Sequence, residues 1–164
     1  MIRKDDLRSC FADLGFSDVR TYIQSGNVLF RSNEEDLKEL REAIERGLSE
    51  RFAYPAQAVV LTQREYAAVV RAAPPGWGSD AQQKHYALFT LPGVTPERVM
   101  AQLPSPRAKV ETVSAGPGVV FWSISNARQA QTTYAKLPAA AVSRQLTIRN
   151  HKTVWKLRDL LEDL

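Results

Sequence analysis

The chain has 164 residues, 44% hydrophobic and 24% charged, with 8 glycines and 9 prolines. That composition suits one ordinary domain or two small fused ones and excludes disordered, collagenous and low-complexity classes. Lys and Arg outnumber Asp and Glu by 22 to 18, and the excess is uneven: the stretch through Pro75 carries −1 and the remainder +5.

The periodicity predicts a first helix over 4–14, where Leu7, Cys10, Phe11 and Leu14 form one apolar stripe and Gly15 stops it. Val19, Thr21 and Ile23 alternate with polar neighbours as a half-buried strand. The Ser25-Gly26-Asn27 turn returns the chain as a second arm, Val28-Leu29-Phe30-Arg31. Ser32 and Glu35 fit a capping box opening a helix to about Arg51, with Leu37, Leu40, Ile44, Leu48 and Phe52 along one face. A strand through Ala58-Val59-Val60-Leu61 and a shorter helix from Glu65 to Ala72 follow. The segment from Ala73 to Asp80, with two prolines and two glycines, continues neither helix nor central strand.

Beyond it the pattern predicts a strand from His85 to Leu91, a short helix after Thr95-Pro96, and a strand near Val110 to Val113. A Gly116-Pro117-Gly118 turn leads into the apolar strand Val119 to Ile124. Asn126 is expected to cap a helix carrying Ala127, Ala130, Tyr134 and Leu137. A strand over Leu146-Thr147-Ile148 then enters a last helix with Val154, Leu157, Leu161 and Leu164. The expected fold is α+β: two ferredoxin-like (βαββαβ) halves, the first without its opening strand, plus a C-terminal helix. The expected division is 1–72, a linker over 73–83, and 84–164.

Two segments carry a family resemblance. Asp18-Val19-Arg20-Thr21-Tyr22-Ile23-Gln24-Ser25-Gly26-Asn27-Val28-Leu29-Phe30 resembles the hallmark segment of a bacterial family, domain of unknown function 1697. The tail from Leu146 to Leu157, which includes Arg149-Asn150-His151-Lys152, resembles that family's closing motif. The resemblance implies two ferredoxin-like subdomains and no established activity, cofactor or partner. The sequence departs from the family in two places. It begins almost at the first helix, without the usual apolar strand and Arg-Gly-Ile-Asn-type turn, and it has His151 where tryptophan is usual. An absent central strand leaves neighbouring backbone groups unpaired, so direct pairing, a rearranged half, or self-association through the open sheet edge is expected to close the gap.

The last helix carries its charges against its dipole. Arg149, His151 and Lys152 crowd its start, while Asp159, Glu162 and Asp163 occupy its end. Free amides at a helix start accept anions, so Arg149, Asn150, His151 and Lys152, joined by the Gln24, Ser25, Gly26 and Asn27 turn, form the expected ligand-binding set for a phosphate or carboxylate. Against this stand simpler roles: the charges pair with carboxylates, Asn150 is an N-cap, and the Gly-Asn segment is a hairpin turn.

Other chemistries find less support. Cys10 lies on an apolar stripe, and His85 and His151 are far apart in sequence with no zinc-like spacing. No Walker loop, dinucleotide fingerprint or Gly-x-Ser-x-Gly elbow is present, so no cofactor and no metal are expected. Phe121 and Trp122 lack the basic-aromatic pattern of an RNA-binding sheet, which makes nucleic acid the lesser partner. A single cysteine, no ~20-residue apolar run and no apolar leader point to a cytoplasmic protein with no membrane partner. The expectation is a small ligand-binding or regulatory protein for an anionic small molecule. The alternatives are an enzyme acting on a phosphorylated or carboxylated molecule and a self-assembling module.

Overall fold

The computed structural model describes residues 1–23 and 26–164. It is a mixed α/β structure with a two-stranded sheet, a four-stranded sheet and a closing helix. Two compact units make up the chain: Met1–Thr62 with Asp159–Leu164, and Gln63–Arg158. The division falls ahead of the helix expected to end the first half, so that helix belongs with the second unit.

The first unit contains α1 (Lys4–Asp13), β1 (Ser17–Tyr22), β2 (Asn27–Arg31) and α2 (Leu37–Phe52). Leu7, Cys10 and Phe11 of α1 meet Leu40, Ile44 and Leu48 of α2 in one buried cluster. Gly47 lets the helices approach closely, since a Cβ there would sit 2.9 Å from the Leu14 side chain. α1 ends as its sequence suggests. Gly15 takes φ +95°, its N–H donates to Ala12 O, and Phe16 N–H donates to Phe11 O. The Phe11, Phe16 and Phe30 rings then close over that end, with centroids 4.6–5.9 Å apart.

β1 and β2 pair antiparallel from Tyr22↔Asn27 to Ser17↔Arg31, with an irregularity between Ser17 and Arg20. Asp18 sits in that bulge at φ +49° and pairs with Arg31 at 3.0 Å. Two expectations fail in this unit. α2 is capped by Asp36, whose carboxylate accepts from Lys38 and Glu39 N–H, and not by Ser32. Ser32 instead accepts from Glu34 N–H in a turn before the helix. The apolar run over 58–61 forms no strand. Side chains of α2 take amides a ladder would need: Glu45 accepts from Ala58 N–H and Ser49 from Ala56 N–H.

The second unit contains α3 (Gln63–Arg71), β3 (Gln83–Thr90), α4 (Pro96–Ala101), β4 (Glu111–Gly116), β5 (Val119–Ser125), β6 (Leu146–Asn150) and α5 (His151–Glu162). The last residues of α5 fall in the first unit. The sheet order is β4-β5-β3-β6 with every neighbour antiparallel, as a ferredoxin-like βαββαβ unit requires. Strand alternation sends Leu88, Val120, Trp122 and Ile124 into a core with Val99, Leu137 and Val142. The opposite face carries His85, Ala87, Phe89, Phe121 and Ser123.

The helix expected from Asn126 is replaced by 3₁₀ turns over Asn126–Gln131, Tyr134–Ala139 and Ala141–Gln145. Local and long-range hydrogen bonds break it. Thr132 Oγ1 donates to Gln129 O and accepts from Ala135 N–H, while the buried Glu111 carboxylate accepts from Thr133 N–H and Trp122 Nε1. Pro138 removes a further helical donor. Asn126 is no cap, because its side-chain amide donates to Ala81 O.

Candidate functional site

β6 runs directly into α5, and the junction is the sequence Arg149-Asn150-His151-Lys152. Arg149 lies opposite Ala87 on β3, so its side chain belongs to the sheet face that also bears His85 and Phe121. Its Nη1 donates to Ile148 O at 2.8 Å. Burial pulls the guanidinium below its ordinary value, with the Tyr66 hydroxyl acting the other way. Tyr66 stacks on Phe89 and donates its hydroxyl to Val154 O at 2.7 Å, which pins the first turns of α5.

Asn150 makes the transition from strand to helix. Its Oδ1 accepts from Thr153 N–H at 2.9 Å, which is N-cap geometry. The amides ahead of Thr153 have no acceptor within their own helix. No acidic residue occupies the first turn of α5, and Lys152 is exposed. Lys152 makes no ion pair among the described residues.

His151 begins the helix, half-buried in an aromatic cluster that its position in the sequence does not announce. Its ring makes T-shaped contacts with Trp155, His85 and Trp77, with centroids at 5.2, 5.4 and 6.2 Å. Trp77 reaches the cluster from the Pro–Gly segment and donates its indole N–H to Tyr86 O. The segment is clamped there. A Cβ on Gly78, at φ +86°, would fall 2.4 Å from the Trp155 ring. Gly76-Trp77-Gly78 is thus a packing device on α5.

The two histidines, remote in sequence, meet because β3 and the start of α5 share one sheet face. His85 is buried and bonded at both nitrogens: Nε2–H donates to Asp80 O at 2.9 Å, and in the neutral ring Nδ1 accepts from the Ser123 hydroxyl at 2.7 Å. Ser123 is itself only 5% exposed, so the pair has no access for a substrate and acts as a cross-strand tie. Sequence spacing gave no sign of this pair. Alternation along β3 and β5 was the available signal, because it puts both polar residues on an otherwise apolar face.

Gly26 and Asn27 are part of the first unit, where Asn27 Nδ2 donates to Tyr22 O at 3.0 Å across the hairpin; Gln24 and Ser25 lie outside the described residues. Cys10 is a buried core residue whose thiol is pushed up by desolvation. Among the described residues no group of three or more His, Cys, Asp or Glu side chains could hold a metal ion, and no helix is long and apolar enough to cross a membrane.

An α+β chain with this four-stranded sheet and closing helix has clear relatives. The family model described as a protein of unknown function, DUF1697, matches residues 1–121. The chain belongs to that family. A solved structure similar to it is that of a conserved bacterial protein from Streptococcus pneumoniae, 28% identical, with a TM-score of 0.87, covering 99% of this chain and 90% of the other. No curated protein matches the chain.

Proposed function

We propose that the start of α5 accepts an anionic group, phosphate or carboxylate, of a small molecule, and that the protein is a ligand-binding or regulatory protein. The observation that carries this reading is the charge of the helix's first turn. Arg149, on the strand just before the cap, and Lys152, exposed in the first turn, flank an amide end that holds a partial positive charge, and α5 has no acidic residue of its own in that turn. Exposed cations in that place cost a helix ~0.3–1 kcal/mol each. A bound anion reverses the sign of that term. Lys152 supplies a mobile charge, Arg149 a planar donor set on the sheet face, and the cap by Asn150 fixes the direction of the amides.

Inorganic phosphate titrated into wild type, Lys152→Ala and Arg149→Ala tests the reading, with chemical denaturation of each variant as a control. Wild type is expected to bind, each variant about tenfold or more weakly, and the affinity to fall with added salt, as screening of a solvent-facing charge requires. Negligible binding by wild type, or variants indistinguishable from it, ends the reading.

A further inference from the structure

The aromatic cluster beneath α5 contains two imidazoles in opposite situations. His85 is bonded at both nitrogens. His151, one ring away, has its Nδ1 buried with no hydrogen-bond partner among the described residues. A neutral ring tolerates this, because a bare acceptor gives up only its hydration. Protonation would place a charge on a half-buried ring and, at Nδ1, an N–H donor with no acceptor among the described residues.

The surroundings add to that penalty. The groups that act on the ring are His85 on β3 and Lys152 on α5 itself, neither of them a carboxylate. Trp77 and Trp155 meet the ring in T-shaped contacts and bring no carboxylate. Asp80 reaches the cluster through its main-chain carbonyl, which His85 already occupies. Tyr66, from α3, spends its hydroxyl on Val154 O. His151 is also the first residue of α5, where a helix disfavours a cation.

We propose that this cluster is an acid-operated latch: protonation of His151 releases the first turn of α5, and the 76–79 turn clamped by Trp155, from the sheet. The balance of forces on the ring agrees. Desolvation and, after it, the electrostatic influence of His85 lower its proton affinity below the ordinary histidine value, a hydrogen bond to the His85 main chain acts the other way, and Lys152 lowers it further. Because the closed state prefers the neutral ring, the latch is fully held above the ordinary value of ~6.5 and weakens as pH falls below it toward the lower, folded-state value.

Amide hydrogen exchange at pH 7.5 and pH 5, corrected for intrinsic rates, tests the latch on the whole chain. In wild type the protection of Thr153, Val154 and Trp155 is expected to fall severalfold between the two pH values, because the closed state disfavours the protonated ring, while Phe121 on β5 keeps its protection. His151→Phe, which keeps an aromatic ring and cannot titrate, is expected to lose that pH dependence; His151→Gln replaces it if the phenyl ring prevents folding. NMR titration of the wild-type ring is expected to place His151 below the ordinary histidine range. Equal protection at both pH values overturns the proposal. So does an equal loss in the non-titrating variant, a loss shared by β5, or a ring that titrates at or above the ordinary value.

Discussion

The starts of α2 and α5 solve the same problem in opposite ways. At α2 a relay of acceptors leads into the helix and covers two of its free amides: Ser32 takes Glu34 N–H, Glu34 takes Asp36 N–H, and Asp36 takes those of Lys38 and Glu39. Every acid in that relay also favours the helix dipole. At α5 a single amide side chain caps Thr153, the helix has no acidic residue in its own first turn, and attachment comes from packing by Trp77, Trp155, His85 and Tyr66. One start is built for helix stability. The other spends local stability on charge, and that is where a ligand for the charge is to be sought.

The packing half of this comparison predicts the largest effect. Gly78→Ala forces a methyl group against the Trp155 ring in a left-handed backbone, and about 2–3 kcal/mol of stability is expected to be lost in urea denaturation. Gly15→Ala, also at positive φ but with nothing within 4 Å of the added carbon, is expected to lose only about 1 kcal/mol. All three tryptophans lie in the second unit, so indole fluorescence follows the first variant there. Equal losses for both glycines would show that the Trp155 contact contributes nothing.

The capping half predicts smaller changes. Asp36→Ala removes an acceptor of two amides and is expected to cost about 1–2 kcal/mol, and Asn150→Ala, which removes an acceptor of one, about 1 kcal/mol. Circular dichroism in denaturant reads both. A larger loss at Asn150 than at Asp36 would invert the comparison. The smallest predicted effect has the opposite sign. Lys152→Glu puts an acid in the first turn of α5 and is expected to raise stability by ~0.3–1 kcal/mol.

Much of this was legible in the residues. The stripe Leu37, Leu40, Ile44, Leu48 defines the buried face of α2, Gly15 marks the end of α1, and Gly116-Pro117-Gly118 marks the β4–β5 turn; each rests on local periodicity or backbone preference. The reading failed once on a choice between neighbours, and elsewhere where a distant group took over a local bond. Ser32 and Asp36 both have cap chemistry, and only the path of the chain before α2 selects Asp36. The run at 58–61 looks like a strand until Glu45 and Ser49 claim amides in and before it. The 3₁₀ turns after Asn126 depend on Glu111, which holds Thr133 from β4. At the site, the basic start of α5 was plain from its charges. The neighbourhood of His151 was not, since His85 comes to it through sheet pairing and Trp77 through a turn that looked like a linker.

The most direct test of a start built for charge is a phosphate titration followed by NMR on the amides of Arg149 to Thr153, run on wild type and Lys152→Glu with denaturation alongside. The account predicts saturable shifts confined to those amides in wild type, and a variant that is more stable and blind to phosphate. Wild-type amides that do not move, or a Lys152→Glu protein that still binds, would contradict it.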